Sequence, residues 1–595
     1  MIASRCSAKA LSLFFCGSLL GAVTVTSSEA SSEGAQTDQI FLEQVEVSVV
    51  NVEVFVTDKR GNRVPNLTQE DFQIFEDGKP VEITNFYVVE GGGVRPSEVG
   101  DAAEGEGENL APIEPKQLHL VVYVDDRNLS PANRNRALAL LQDFVREQLR
   151  PTDRIMLVTS DGGLLIQQEM TADPDLLVAA LQDMSKRGGK GALLELERRS
   201  IVRDIQFVQM PDGGTGAGTA SSLGEDTTGD EALIVLEAIR NFAQREHNLV
   251  RDTIAGLRQF IGSLSGVPGR KAVLYVSDGL SMRPGEELYY AWDNKFREYA
   301  RDLGIGSITM DATELRTDEY FEELVDAANA SEVTFYALRA AGGGPGAAVT
   351  GETPAFVDMG GSPVWTPALD TIASANTGSP LRFMSDATGG FALVNSRNFD
   401  GMLDRMREDF DSYYSLGYTI DHTDDQQIHR IRVVVPDEKW NVRHRERYRH
   451  KTREERTADL TLSALLLDIE SNPLQIAVEF GEAEPAEKRG QIVVPVIVKV
   501  PIANLVLLPQ GDFHVGQIKI AVAAKDGDGR SSPVQTIQVP VRIPNDKLLT
   551  ALGQVAGYRV KLGLRRAKAI VAVGVHDSLA NVDSAVRVTY EPPAS

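Results

Sequence analysis

Two acidic strand ends in this chain could together form a cation site. The stretch LHLVVYVDDRNLS ends an apolar run in oxygen-bearing side chains: Asp125, Asp126, Asn128 and Ser130. A second apolar stretch, AVLYVSDG, reaches Asp278 at its end. Carboxylate, amide and hydroxyl oxygens are the ligands that hard divalent cations take in proteins. Because ligands of open parallel sheets bind beyond the carboxyl ends of the strands, these residues predict a divalent-cation site, with a polar turn as the alternative.

The elements that would position these acids alternate along the chain as apolar strands and amphipathic helices. The segment RNRALALLQDFVREQL places its apolar side chains on one helical face, and a long amphipathic run over 231–264 precedes the second strand. Alternation of this kind predicts a doubly wound, mostly parallel sheet with helices on both faces over residues 118–456. Two Gly-rich stretches, about 185–230 and 341–380, are interpreted as surface insertions.

Short strands with turn signals flank this α/β region on both sides. Residues 43–90 alternate apolar and polar side chains around Asp77-Gly78, a pair that favours a hairpin turn, and predict a small β domain. Residues 91–117 are rich in Gly, Glu and Pro, which predicts a flexible acidic linker. Strand-like stretches over 458–592 predict a C-terminal β-sandwich. The expected fold class is therefore multidomain, α/β plus all-β.

The N-terminus predicts export from the cell. Residues 1–30 combine Arg5 and Lys9 with a following apolar run and a small-x-small end, as in a signal peptide. The run is shorter than the ~20 residues that span a bilayer, and we predict no later membrane span. Both cysteines of the chain, Cys6 and Cys16, lie inside this segment. We therefore expect a disulfide-free protein in the periplasm or outside the cell.

Charge excludes one class of partner and leaves one basic stretch to explain. The net charge of −25 argues against nucleic-acid binding, because a phosphate backbone would repel such a surface. Within WNVRHRERYRHKTREER, alternate arginines would lie on one face of an extended strand and could bind phosphate groups, acidic glycans or lipid headgroups: Arg443, Arg445, Arg447 and Arg449. The alternative is a solvated edge strand whose like charges prevent aggregation.

The order of several motifs gives residues 45–449 a family resemblance. The motifs are VVYVDDRNLS, PGRKAVLYVSDG, DATGGFAL and DFDSYYSLGYTI, preceded by VEVFVTDKRGNRVPNLTQEDFQIFEDGKPVEITNF. In this order they make the chain similar to the secreted bacterial VWFA-related proteins of the Acidobacteria type, whose α/β unit is a von Willebrand factor A-type domain. The resemblance implies that fold, and it implies a metal-ion-dependent adhesion site at the strand ends.

That adhesion site has a D-x-S-x-S motif, a Thr from a second loop and an Asp after the fourth strand. Asp126, Asn128 and Ser130 match the first element, with Asn in place of the first Ser, and Asp278 matches the last. An amide oxygen is an acceptable substitute ligand. If Asp125 is the strand-end acid instead, the two Ser positions of the motif fall on side chains that cannot bind a cation. The sequence leaves both registers open.

The Thr of the family motif has no direct counterpart in this chain. The stretch KRGGKGALLEL, where the resemblance would place it, contains no hydroxyl. Thr228, beyond the first insertion, is the alternate ligand. Lys190 could instead place its ammonium where the cation would lie, which would give a site without metal. The other expectation is a degenerate site that turn hydrogen bonds and helix N-termini stabilise.

These observations predict an exported, non-enzymatic binding or adhesion-type protein whose partner is another protein. Its divalent-cation site would hold Mg²⁺ or a related ion, and we expect no other cofactor. One alternative is a metal-free scaffold of a cell-envelope complex. A second alternative is an envelope hydrolase, which the sequence disfavours because no recognisable nucleophile–base pair is present. We therefore predict no catalytic residues.

Overall fold

A computed structural model describes residues 48–90, 93–96 and 118–592, except 162, 188–190, 209–227, 268, 303–307, 342–365, 395–398, 421–426, 437–438, 487–490, 528 and 530. The predicted signal peptide, both cysteines, Lys190 and the linker apart from Gly93–Pro96 lie outside the described residues. The chain divides into two compact units, one within Gln39–Ile469 and one within Glu470–Ser595.

The larger unit contains strands and helices in mixed order. Its strands are β1 (Ser48–Thr57), β2 (Gln73–Glu76), β3 (Lys79–Val81), β4 (Asn85–Glu90), β5 (Gly93–Pro96), β6 (Leu118–Val124), β7 (Arg154–Ser160), β8 (Leu164–Thr171), β9 (Arg270–Ser277), β10 (Val333–Arg339), β11 (Ala392–Leu393), β12 (Ser412–Ile420), β13 (His429–Val434), β14 (Asn441–His444) and β15 (Arg447–Tyr448). Its helices are α1 (Pro131–Gln148), α2 (Pro174–Ser185), α3 (Ala192–Phe207), α4 (Thr228–Ser263), α5 (Glu286–Asp302), α6 (Ile308–Glu314), α7 (Asp318–Ala330), α8 (Pro367–Asp386), α9 (Phe399–Asp411) and α10 (Arg453–Leu467).

A six-stranded, mostly parallel sheet forms the centre of this unit. Its strand order is β11-β10-β9-β6-β7-β8, in which β8 alone runs antiparallel to its neighbour. Every residue of β9 and β10 is buried, as expected of strands covered on both faces. One face packs against α4, α7 and α8, and the other packs against α1, α2 and α9. The chain order reverses between β6 and β9, where open α/β sheets bind their ligands.

Both predicted insertions contain helices that pack into the unit. In the first, α3 buries Ile201 and Ile205 against α4 and α5. In the second, residues 367–380 form the first part of α8, although the sequence of this helix is rich in Ser, Thr and Gly. Burial of Leu369, Leu381 and Met384 stabilises α8, because tertiary packing overrides weak helix propensity. These parts of the two stretches are therefore helical layers and not surface insertions.

The N-terminal strands pair with strands that follow the parallel sheet in sequence. The predicted α/β region of residues 118–456 includes YYSLGYTI and RIRVVVP, but these two strands lie outside the parallel sheet. β12 lies between β1 and β4, and β13 pairs with β2. The two resulting sheets, β14-β1-β12-β4-β5 and β15-β13-β2-β3, share one apolar core. Strands from residues 48–96 and 412–448 thus build one composite β layer, because alternating valines such as Val52 and Val54 need partners on the opposite sheet.

The predicted boundary between residues 456 and 458 falls inside a helix. Thr452 caps α10, and its hydroxyl accepts a hydrogen bond from the Glu455 amide, while the Glu455 carboxylate accepts one from the Thr452 amide. This reciprocal pair is a capping box. The helix then packs on α4, where the Ser463 hydroxyl donates to the Ser263 carbonyl at 2.6 Å. The α/β unit therefore continues to Ile469.

The smaller unit is built from antiparallel strands. They are β16 (Ala477–Phe480), β17 (Glu484–Pro485), β18 (Gln491–Pro501), β19 (Leu508–Gln510), β20 (Phe513–Asp526), β21 (Gln535–Pro544), β22 (Val555–Arg565), β23 (Ala569–Asp577) and β24 (Val582–Tyr590), with a short helix α11 (Leu548–Ala551) before β22. They form two sheets, and apolar residues of both sheets share one core. In the part of the chain that the structure describes, no helix has the length and apolar character needed to cross a membrane.

Candidate functional site

The two predicted strand ends meet at the point where the order of the parallel strands reverses. The Asp125 amide donates to the Val276 carbonyl at 3.0 Å, and the Asp278 amide donates to the Asn128 carbonyl at 2.9 Å. We call Asp125, Asp126, Asn128, Ser130 and Asp278 the strand-end site. Adjacent parallel strands β6 and β9 bring the five residues to the same end of the sheet.

Asp126 forms a buried ion pair with an arginine of α1. The Arg134 Nε donates to Asp126 Oδ1 at 2.6 Å, and its Nη2 donates to Oδ2 at 3.2 Å. The Arg134 Nη1 donates to the carbonyls of Met184 and Arg187, at 2.6 and 3.0 Å. Arg134 is 1% exposed and Asp126 is 8% exposed. Both carboxylate oxygens of the predicted first metal ligand are therefore held by a fixed guanidinium.

Asp125 points the other way, into the face of the sheet that packs on α4. Its Oδ2 accepts hydrogen bonds from the Tyr275 hydroxyl at 2.5 Å and from the Asn128 amide nitrogen at 2.8 Å. Its Oδ1 accepts none from any described residue. Burial raises the pKa of Asp125 to about 6, and the hydrogen bonds from Tyr275 and Asn128 oppose this rise. The side chain is fully buried, so the alternate register offers no accessible ligand.

Asp278 lies against the N-terminus of α1. Its Oδ2 accepts from the Ser130 amide at 2.8 Å, and its Oδ1 accepts from the Asn133 side-chain amide at 2.9 Å. Burial raises its pKa, while the hydrogen bonds from Ser130 and Asn133 and the charge of Arg339 act in the opposite direction. Arg339 also donates to the Asp278 carbonyl at 3.0 Å. The helix N-terminus is a favourable place for this carboxylate.

The loop that would supply the missing Thr supplies backbone groups instead. Gly191 donates its amide to the Leu129 carbonyl at 3.1 Å. A Cβ atom at Gly191 would lie 2.6 Å from the Leu129 carbonyl carbon and oxygen, so the loop approaches the segment between β6 and α1 too closely for a side chain. Thr228, the alternate hydroxyl, is the first residue of α4, and its side chain lies outside the described part of the structure.

These contacts do not fit a divalent cation. The Asp126 oxygens are paired with Arg134, the Asn128 amide donates to Asp125, and both Asp278 oxygens accept hydrogen bonds. Within the described residues, no group of three or more His, Cys, Asp or Glu side chains has the arrangement to hold a metal ion. The guanidinium supplies the positive charge at Asp126 that the family resemblance would assign to a metal.

Arg134 is the residue of this site that the sequence reasoning misses. It lies on the same face of α1 as Leu138 and Leu141, which are buried. A residue four positions before a buried leucine lies on the same, buried face of the helix. An arginine at such a position is rarely buried without a carboxylate partner. This spacing is a signal that a buried acid lies nearby. Lys190, the cation that the sequence offers, lies outside the described residues.

The four arginines predicted as an anion site do not form an open cationic face. Arg443 pairs with Asp409 at 2.6 Å, and Arg447 pairs with Asp326 at 3.3 Å. Both oxygens of Glu455 accept from Arg449 at 2.9 Å. Arg445 donates to the carbonyls of Asn51 and Asn329. β14 and β15 are separate strands in different sheets, so these side chains follow no single extended strand.

Comparison with known proteins assigns no family to this chain. No protein-family model matches it, and no curated protein matches it. Among solved structures, it is similar to the conserved hypothetical protein BatB from Bacteroides thetaiotaomicron, with 12% identity and a TM-score of 0.22 over 49% of this chain and 98% of that chain. An aerotolerance-related membrane protein from Bacteroides fragilis matches with 11% identity and a TM-score of 0.22 over the same shares.

A third similar structure comprises three N-terminal domains of the type V pili tip protein Mfa5 from Porphyromonas gingivalis. It matches with 10% identity and a TM-score of 0.21, over 92% of this chain and 78% of that chain. Scores this low carry no argument about fold or function, so the role of this chain has to be inferred from its own geometry.

Proposed function

We propose that this chain is an exported, non-enzymatic protein-binding protein of the von Willebrand factor A type, whose strand-end face contacts its partner without a divalent cation. The observation that carries the proposal is the bidentate Arg134–Asp126 ion pair at the carboxyl ends of the parallel strands. The strand order β11-β10-β9-β6-β7-β8 is the doubly wound order that the motif resemblance implies. Export is supported by the N-terminal sequence.

A metal ion could bind Asp126 only if Arg134 moved out of a buried position. Arg134 is fixed by four hydrogen bonds, two to the carboxylate and two to backbone carbonyls. Separating a buried ion pair leaves an uncompensated charge and costs about 3–5 kcal/mol. The positive charge at Asp126 is therefore the Arg134 guanidinium, and the binding face needs no metal ion from solution.

The strand-end site has no arrangement suited to hydrolysis. It contains no histidine, and Asp125, whose pKa is raised to about 6, is 0% exposed. A general base must reach the proton that it removes, and this acid is enclosed by Tyr275 and Asn128. A binding role is thus favoured over the envelope-hydrolase alternative.

Site-specific photo-crosslinking tests this proposal. A crosslinking amino acid at Ala132, exposed in the first turn of α1 beside the strand-end site, samples the proposed face. The control position is Glu147, exposed at the other end of the same helix and roughly 22 Å away at 1.5 Å per residue. The probe is a cell-envelope extract, with and without a chelator of divalent cations.

We expect a crosslinked protein from Ala132 that is absent from Glu147 and unchanged by the chelator. Crosslinks that are equal at both positions would contradict a strand-end binding face. A crosslink that disappears with the chelator would contradict metal independence and restore the adhesion-site mechanism.

A further inference from the structure

A basic cleft lies at the N-terminal ends of the parallel strands, opposite the strand-end site, and the proposed function does not use it. Two adjoining cavities, of about 430 and 280 Å³, lie within the larger unit at the N-terminal ends of β9 and β10. One wall comes from β1 and the segment after β14, and the other comes from the ends of α7 and α4 and the starts of the parallel strands. Both cavities share a set of residues that we call the basal cleft: Asn51, Ser265, Lys271, Asn329, Glu332 and Arg445.

Positive charge dominates the lining of this cleft, in a chain of net charge −25. The basic side chains around the two cavities are Arg270, Lys271, Arg445, Arg449, Lys451 and Arg456, and the acidic ones are Glu53 and Glu332. A concave surface lined by one sign of charge focuses the electrostatic field and concentrates ions of the opposite sign. The cleft is therefore a local exception to an acidic surface.

Some of these charges are neutralised within the protein. Glu53 pairs with Arg270 at 2.8 Å, Glu455 pairs with Arg449, and Asp459 pairs with Lys451. These pairs hold the walls together.

Two arginines of the lining have no carboxylate partner among the described residues. Within the described residues, the Arg445 guanidinium donates to the backbone carbonyls of Asn51 and Asn329 and to no carboxylate. Among the described residues, neither Arg445 nor Arg456 has a carboxylate within ion-pair distance, and Arg456 is exposed at the mouth of the smaller cavity. A ligand oxygen with negative charge would complete these groups, because charge-assisted hydrogen bonds are about twice as strong as neutral ones.

We propose that the basal cleft binds a small organic anion that carries phosphate or several carboxylates. The hydroxyls of Thr334 and Ser415 and the side chain of Asn51 line the larger cavity beside the basic groups, which supplies neutral donors for the remaining oxygens. A cavity of about 430 Å³ is in the size range of small-ligand sites. The anion site therefore lies in a concave cleft between two layers of the fold, and not along a single exposed strand.

Calorimetric titration of residues 31–595 tests this site with two probes, inorganic phosphate and citrate. We expect saturable binding of one of them, and its identity decides between a phosphate and a carboxylate ligand. Arg456→Gln removes a charge at the mouth and should weaken binding about tenfold, which corresponds to roughly 1.4 kcal/mol. Binding should also weaken as sodium chloride is added, because salt screens the attraction.

The matched control is Arg453→Gln, on the same turn of α10 but outside the lining of both cavities. It should leave the affinity within about twofold of the parent. Arg445→Gln provides a second cleft variant, and its folding is checked by circular dichroism. Failure of both phosphate and citrate to saturate in the millimolar range would overturn the proposal. Equal affinities for the parent and Arg456→Gln would overturn it as well.

Discussion

At the scale of single residues, the pairing of Arg134 with Asp126 determines what the strand-end site can do. We predict that Arg134→Leu destabilises the protein by about 3–5 kcal/mol, because it leaves the Asp126 carboxylate buried without a partner. The double variant with Asp126→Leu should recover much of this loss, since both charges are then removed together. Urea denaturation measures the free energy of unfolding of each variant.

The control for this pair is Arg146→Leu, at the exposed end of the same helix, where the arginine side chain is 49% exposed. Its change in stability should stay below about 0.5 kcal/mol. If Arg134→Leu cost no more than this control, the buried pair would not stabilise the site and the metal-free account would lose its basis.

Asp125 makes stability depend on pH in a defined direction. Its folded-state pKa of about 6 lies above the ordinary value, so the folded state binds the proton more tightly than the unfolded state. The stabilisation is complete below the unfolded-state pKa and is lost as the pH rises through about 6. Relative to Asp125→Asn, the parent should lose roughly 3 kcal/mol between about pH 4 and pH 7.

Unfolding of the parent and Asp125→Asn at several pH values in that range measures this effect. The isosteric amide keeps the shape of the side chain but does not titrate. A stability difference that stays constant with pH would show that Asp125 has an ordinary pKa in the folded protein.

At the scale of elements, the loop that contains Gly191 approaches the Leu129 backbone so closely that it leaves no room for a side chain at position 191. The Gly191 backbone lies so near Leu129 that an added Cβ would be 2.6 Å from its carbonyl carbon and oxygen. Because backbone atoms cannot move as a flexible side chain can, Gly191→Ala should destabilise the protein by about 1–3 kcal/mol. Gly191 has a φ of −59°, so the cost is steric and does not come from backbone strain.

The comparison variant is Gly256→Ala, inside α4 two turns before its end, where an added Cβ meets nothing within 4 Å. It should stabilise the protein by about 0.5–1 kcal/mol through helix propensity. Thermal unfolding of the two variants should thus give shifts in opposite directions. Equal shifts of the unfolding temperature would mean that Gly191 does not contact the Leu129 backbone.

The elements also show which parts of the structure a sequence can predict. The parallel strands and α4 are predicted correctly because continuous apolar runs and 3.6-residue periodicity are local signals. The pairing of β12 with β1 joins residues such as Leu416 and Val52. These residues are far apart in sequence, and neither segment contains a local signal that identifies the other as its partner. The Arg134–Asp126 pair is not predicted for a different reason. In the sequence both side chains look like ordinary surface charges, and only the packing of α1 on the sheet shows that they are buried together.

At the scale of the whole molecule, the composite β layer makes the N-terminal strands part of the larger unit. β12 has β1 on one side and β4 on the other. A fragment that starts at residue 118 lacks both neighbours and exposes the apolar side chains of β12, including Leu416 and Tyr418, which are 0% exposed in the chain. Unpaired strands with exposed apolar residues aggregate.

We therefore predict that residues 43–469 fold as a soluble fragment and that residues 118–469 do not. Size-exclusion chromatography and near-ultraviolet circular dichroism distinguish the two outcomes. A monomeric 118–469 fragment with a native-like aromatic signal would show that the N-terminal strands are dispensable, and that the α/β region is a separate domain as the sequence predicts.

Calorimetric titration of residues 31–595 with Mg²⁺, Mn²⁺ and Ca²⁺ measures whether a metal ion binds at the strand-end site, where we propose that the Arg134 guanidinium takes its place. The parent, Asp126→Asn and Asp278→Asn are compared under the same conditions, with circular dichroism to verify folding. We predict that the folded variants titrate as the parent does, because any cation binding occurs elsewhere on the acidic surface. Saturable binding by the parent that both substitutions abolish would contradict metal independence and establish a metal-dependent adhesion site.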